Sequence, residues 1–264
     1  MGRHEVLTSP ANPMLKDVRR AIARGGLTDD GYMVAETFHL LEEALRGDLE
    51  VKAILAAESV HMGVRDRLPG HAAIRLVVVS DSLFQKVADT ESSQGVITLA
   101  NPPAWNLEDC LRGPNPVVVL DGLQDPGNAG AIVRAAEAFG ASGVLFTKGT
   151  VSPFNPKTLR ASAGSLFRVP FVHNLDAAMA RAALEQSKIA IYDALPSKAT
   201  APAAVDLTRN CALVIGSEAR GVSERMRSGA LGLSISTVGV ESLNAAVAAG
   251  ILLYEAQRQR SLRA

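Results

Sequence analysis

Residues 117–140 read VVVLDGLQDPGNAGAIVRAAEAFG, and the order of residue types in this stretch decides the class of fold. Val117, Val118, Val119 and Leu120 are four strand formers without polar alternation, the pattern of a parallel strand covered on both faces. Asp125, Gly127 and Asn128 then supply turn and cap chemistry, a helix is predicted over 129–139, and Gly140 stands where a left-handed residue ends a helix. A loop at the carboxyl end of such a strand is where open α/β sheets take their ligands. Asn128 and Arg134, delivered to that edge beside free backbone N–H groups, suit an anionic or ribose-bearing ligand. The same residues also fit a plain βα unit in which Arg134 is a solvated side chain paired with Glu137.

Outward from this unit the pattern alternates. Strands are predicted over 143–147, 169–172, 188–193, 211–215 and 231–235, and helices near 157–163, 175–187, 222–228 and 242–260. Such alternation means a mostly parallel sheet with helices on both faces. Upstream, Asn101-Pro102-Pro103 and Arg112-Gly113-Pro114-Asn115-Pro116 form a Pro-rich bridge. The expected organisation is a first α/β domain over 1–105, a linker over 106–115 and a second domain over 116–264. In the first domain, helices are predicted over 14–24, 33–45 and 82–88, and strands over 51–56, 76–79 and 95–99.

Composition excludes several classes. The 264 residues carry 27 basic and 27 acidic side chains, so no polybasic tail advertises a membrane or nucleic acid. Residues 1–105 hold 11 basic and 14 acidic groups (net −3) and 106–264 hold 16 and 13 (net +3), a faint bias that would place a polyanion on the second part. Cys110 and Cys211 lack CxxC or His-rich neighbours, which argues against a zinc site or a disulfide framework and for two buried small hydrophobes. The start, MGRHEVLTSP, has no apolar signal core, and Val6 spoils a myristoylation pattern at Gly2. The run 245–253 is too short to span a bilayer. These features predict a soluble cytoplasmic protein.

Two further stretches can carry chemistry. Leu213-Val214-Ile215-Gly216-Ser217-Glu218-Ala219-Arg220-Gly221 is a buried strand entering a glycine-flanked turn with one carboxylate. Glu218 there also fits a helix cap. Ile235 through Asn244 takes a strand into a helix whose first turn is Ser242-Leu243-Asn244, ordinary capping residues when taken alone. All three stretches would meet at one carboxyl edge of the sheet.

In this order the set resembles the SpoU/TrmH family of RNA ribose 2′-O-methyltransferases, within the SPOUT superfamily. The residues that carry the resemblance are Asn128-Ala129-Gly130-Ala131-Ile132-Val133-Arg134, Ile215 to Gly221, and Gly239 with Ser242-Leu243-Asn244. Arg160 to Pro170 is similar to the segment these enzymes carry between their first two motifs. Ser9 to Pro13, Met33 to Glu36 with Leu41 to Leu45, and Ser93 to Val96 resemble the L30e-like substrate-binding domain of the rRNA-modifying members. Two departures stand out. Ile235-Ser236-Thr237 replaces the usual Ile-Pro-Met and the following loop is one residue short; Thr28-Asp29-Asp30 and Glu36-Thr37 replace a basic run and Glu-Gly.

The resemblance implies a deep trefoil knot in the carboxyl-terminal α/β domain, S-adenosylmethionine as cofactor, no metal, a homodimer, and RNA as substrate. Large-subunit (23S) rRNA is the first expectation and tRNA the second. It assigns cofactor binding to the loop Thr147-Lys148-Gly149 and to Gly216, Ile235 and Leu243. It assigns catalysis to Asn128, Arg134, Glu218, Ser242 and Asn244. The small, apolar helix 245–254 suits either a dimer contact or burial in its own sheet. A nucleotide-dependent oxidoreductase fits poorly, because Gly127 and Gly130 do not complete G-x-G-x-x-G. A non-catalytic RNA-binding relative would be expected to lose Arg134, Glu218 or Asn244, and all three are present.

Overall fold

The computed structural model describes residues 5–47, 49–68, 74–89 and 93–263. The reading of Met1 to His4, Gly2 included, lies outside these residues. The chain divides into two compact units, residues 1–104 with 154–167 and residues 105–153 with 168–264. The segment 154–167, which the sequence reading assigned to the second domain, therefore packs with the first.

In the first unit, β1 (Glu5–Leu7), α1 (Pro13–Arg24), β2 (Met33–Glu36), α2 (Phe38–Arg46), β3 (Val51–Ala57), α3 (His61–Asp66), β4 (Arg75–Val79), α4 (Asp81–Gln85) and β5 (Val96–Ala100) build a five-stranded sheet of order β1-β4-β3-β5-β2. The sheet is mixed: β4 runs parallel to β1 and β3, while β5 is antiparallel to β3 and β2. The predicted helix over 33–45 forms only from Phe38 onward. Its first four residues are a buried strand, because the helical spacing of Phe38, Leu41 and Leu45 belongs only to the second half. The elements β1 and α3 escape sequence periodicity because three and six residues are too few to display it.

Thr37 joins β2 to α2 at φ +132° and ψ 154°, backbone space that is nearly glycine's own. It caps α2, its side chain accepting from Leu40 N, and it stands where the family pattern has glycine. Beside it, Glu36 is almost fully buried and receives Arg160 of the 154–167 segment at 3.2 Å; the same guanidinium donates to Asp89 at 2.7 Å. Asn155 caps the helix that carries Arg160, its side chain accepting from Lys157 N.

The second unit begins with α5 (Leu107–Leu111), whose Asn106/Asp109 capping box the sequence reading passed over. It continues with β6 (Val117–Asp121), α6 (Pro126–Ala138) and β7 (Gly143–Thr147). After α7 (Pro156–Ser162) of the first unit, it resumes with β8 (Phe171–Leu175), α8 (Ala177–Gln186), β9 (Ala190–Leu195), β10 (Cys211–Gly216), α9 (Glu224–Arg227), β11 (Leu231–Ser234) and α10 (Ala245–Ser261). The six strands pair in the order β11-β9-β10-β6-β7-β8, and every pairing is parallel, as the uninterrupted apolar strands imply. Alternate residues of β6 serve the two faces. Val117 and Val119 join Leu145, Val214, Leu184 and Met226 in one apolar layer, which also holds Cys110. On the sheet's second layer, α10 packs against α6 and β10. Burial pushes the Cys110 and Cys211 thiols up, to about 12 and about 11, consistent with their reading as buried hydrophobes.

Replacing Thr37 with glycine removes a β-branched residue from strained backbone at the cost of a cap that glycine largely tolerates. Thermal unfolding of Thr37→Gly should therefore show a gain, on the order of 1 kcal/mol. An unchanged or lowered melting temperature would show that the conformation carries no strain.

Candidate active site

The carboxyl ends of β9, β10 and β11 and the start of α10 enclose a cavity of about 620 Å³. Ala194-Leu195-Pro196 form one wall, Ile215 to Gly221 a second, and Leu233, Ile235 and Thr237 a third; Ser242 to Ala245, Ala248 and Leu252 close it. All of these belong to the second unit. The walls mix aliphatic side chains with polar groups and backbone edges at Gly216 and the turn beyond it, which suits a flat heterocycle joined to a polar tail.

Backbone geometry makes the second wall possible. Ser217 and Gly221 exchange two backbone hydrogen bonds, of 3.1 and 2.7 Å, and fold 217–221 into a tight turn. A Cβ on Gly216 would lie 2.2 Å from the Gly221 carbonyl carbon and 2.3 Å from Val222 N, so only glycine lets the strand pass that turn.

Three residues far apart in sequence form a hydrogen-bonded row along the rim. Asn128 Nδ2 donates to Glu218 Oε1 at 2.7 Å, and Asn128 Oδ1 accepts from Asn244 Nδ2 at 2.9 Å. Each member is oriented in turn. Asn128 follows Asp125, the α6 cap that accepts from Asn128 N at 2.6 Å. Asn244 caps α10, its Oδ1 accepting from Ala246 N at 2.9 Å and Val247 N at 3.2 Å. That helix starts at Ala245, three residues later than the sequence suggested. The cap reading of Glu218 fails, because α9 is capped by Ser223.

Below this row, Asp121 is buried at the end of β6. It accepts from Thr147 Oγ1 at 3.0 Å and from Ser223 N at 2.7 Å, tying together the loops after β6, β7 and β10.

Of the sequence-predicted cofactor residues, Gly216, Ile235 and Leu243 line the cavity, and so do Glu218, Ser242 and Asn244 of the catalytic set. Thr147, Lys148 and Gly149 do not line it. Thr147 is a buried pin on Asp121, Lys148 forms an ion pair with Asp176 at 3.7 Å, and Gly149 is exposed. The corresponding wall comes from Ala194-Leu195-Pro196 at the carboxyl end of β9, which only the strand order brings beside β10 and β11. Arg134 also lies outside the cavity lining, exposed on α6, with no hydrogen bond or ion pair to any described residue. Its expected alternative partner, Glu137, pairs with Arg168 at 2.5 Å. Where the family proline is replaced, Thr237 Oγ1 donates to Val240 O at 2.9 Å and braces the shortened turn.

Comparison with known proteins finds similar chains and folds. A family model described as the SpoU rRNA Methylase family matches residues 115–254, and one described as an MRM3-like substrate binding domain matches 12–98. The chain is 31% identical to the 23S rRNA (guanosine(2553)-2′-O)-methyltransferase RlmP of Bacillus subtilis, over 94% of this chain and 97% of that protein. The crystal structure of the SpoU methyltransferase AviRb from Streptomyces viridochromogenes superposes with a TM-score of 0.83 at 25% identity, covering 96% of this chain and 99% of that one. The AdoMet-bound rRNA methyltransferase from Sinorhizobium meliloti gives 0.79 at 25% identity, covering 96% and 97%.

Gly216→Ala should abolish measurable ligand binding in this cavity while the sheet stays folded by circular dichroism. Native-like binding by that variant would show that the close approach of Gly216 to Gly221 is dispensable.

Proposed function

The chain belongs to the SpoU rRNA methylase family, and on that footing we propose that it transfers a methyl group from S-adenosylmethionine to a ribose 2′-hydroxyl of 23S rRNA. The observation that carries this reading is the rim row Asn128–Glu218–Asn244 beside a cavity large enough for a nucleoside. Leu195, Ile235 and Leu243 would flank the adenine, and the backbone around Gly216 would supply its polar contacts. Bound there, S-adenosylmethionine supplies a methyl group on a positively charged sulfur, an electrophile that needs no further activation.

What remains for the protein is orientation and charge. The row fixes one geometry for Asn128, whose amide is engaged at both ends and so cannot flip without losing a bond. Such positioning is worth several kcal/mol in oriented reactions. Arg134 is the cation for the target phosphate and for negative charge developing on the 2′-oxygen. A guanidinium stays protonated, with a pKa above roughly 12, so we assign it stabilisation and not proton abstraction.

Arg134 faces solvent within one chain, and so do Val247, Ile251 and Tyr254 of the neighbouring α10, at 50, 38 and 52% exposure. We infer that this apolar strip is the homodimer contact and that Arg134 completes the partner's site. The first unit, with its match to a substrate-binding domain, would present the RNA; a single-stranded loop is the expected target, since the nucleotide must be splayed out to offer its 2′-hydroxyl. Threading of the carboxyl-terminal segment as a trefoil knot and a cytoplasmic location belong to the same proposal.

Mapping ribose methylation on 23S rRNA from cells with and without the protein tests the reaction: one position should lose its mark, and an unchanged map with an altered tRNA would favour the second substrate. Arg134→Ala should abolish transfer while cofactor affinity stays within a few-fold. Mixing inactive Arg134→Ala with inactive Asn244→Ala should restore activity through hybrid dimers; no recovery after subunit exchange would place Arg134 in its own chain's site.

A further inference from the structure

Three charged side chains line the cavity: Glu218, Arg220 and Arg227. Glu218 is engaged by Asn128, and Arg220 is exposed in the 217–221 turn. Arg227 differs from both, because the fold holds it from behind. Its Nε lies 3.4 Å from Oδ2 of Asp193, a carboxylate 2% exposed on β9 immediately before the Ala194-Leu195-Pro196 wall. The guanidinium also runs under the turn, where a Cβ on Gly221 would come 3.4 Å from Nη2.

Two features make this more than a structural ion pair. Asp193 Oδ2 has no aligned hydrogen bond among the described residues, so Arg227 balances its charge without saturating it. A buried carboxylate that loses its counter-charge is costly, which fixes Arg227 in place. Contact through Nε also leaves the terminal nitrogens of a half-exposed guanidinium beside the cavity. Those two nitrogens are the fork that matches a carboxylate.

We propose that Arg227 binds the carboxylate at the amino-acid end of the cofactor and that Asp193 is its positioning residue. The proposal rests on the placement of S-adenosylmethionine in this cavity. Arg227 then anchors the end of the ligand opposite the adenine, and with both ends held the methyl group between them has a defined direction. The Asp193–Arg227 pair lets the sheet interior set the position of a cation at the cavity edge, a task that the unanchored Arg220 cannot perform.

The test is calorimetry on the full-length protein with two probes. S-adenosylhomocysteine carries the carboxylate; S-adenosyl-3-thiopropylamine keeps the adenosine, sulfur and ammonium and lacks only that group. Arg227→Met should weaken S-adenosylhomocysteine about tenfold or more, the scale of one charge-assisted hydrogen-bonded pair. The same variant should leave the amine probe within twofold. Arg227→Lys should recover part of the loss, and Asp193→Asn should move the two probes apart in the same direction. Equal losses for both probes, or none for either, overturn the proposal. A loss confined to RNA binding also overturns it and assigns Arg227 to a phosphate. If Asp193→Asn fails to fold, the exposed Arg227 substitutions still decide. Leu243→Arg, which fills the cavity, separates the two levels: it should abolish both probes, and undiminished binding of both would refute the cavity as the cofactor site itself.

Discussion

The side chain of Asn128 is the constraint on which the site depends. One amide donates to Glu218 and accepts from Asn244, residues 90 and 116 positions away. Neither contact forms unless β6, β10 and α10 meet at one edge, so this short row reports that the tertiary structure is assembled. It also locks the amide's orientation, since reversing its nitrogen and oxygen would set donor against donor at Asn244 and acceptor against acceptor at Glu218. The row joins the segments beyond the carboxyl ends of the paired strands β6 and β10, where the order of strands reverses direction and where open parallel sheets take their ligands.

Behind the row, the sheet supplies rigidity. Asp121 gathers Thr147 and the α9 cap, while Gly216 admits the turn that carries Glu218. These contacts are buried or half-buried, so the loops they hold act as extensions of the strands. Arg134, exposed on α6 and proposed to complete the partner's site, lies outside this frame. That division matches its proposed task, since an RNA phosphate must be met in solution, whereas a cofactor is bound within walls.

The first unit shows how far the same chain deviates from a simple domain boundary. The helix carrying Arg160 leaves the second unit's sequence and is received by Glu36 and Asp89. Glu36 adjoins Thr37, the residue in glycine-like backbone. A buried carboxylate, its arginine and a strained junction thus cluster on β2, a strand that sequence periodicity merged into the following helix.

The sequence by itself determined the parallel class of the second sheet, because Val117 to Leu120 and Leu213 to Ile215 leave no polar face to expose. The family resemblance drew Asn128, Glu218 and Asn244 to one edge of the sheet, but the bonds that join them are visible only in the tertiary structure. The sequence could not determine which strand end walls the cavity. Thr147-Lys148-Gly149 and Ala194-Leu195-Pro196 both stand at carboxyl ends of strands, and the choice between them rests on β9 lying between β10 and β11. Nor could it reveal that Asp193 stands behind Arg227, or that 154–167 packs with the first unit. Local patterns record what each segment buries; only the tertiary structure decides which segments become neighbours, because strand order depends on how the whole chain shares one core.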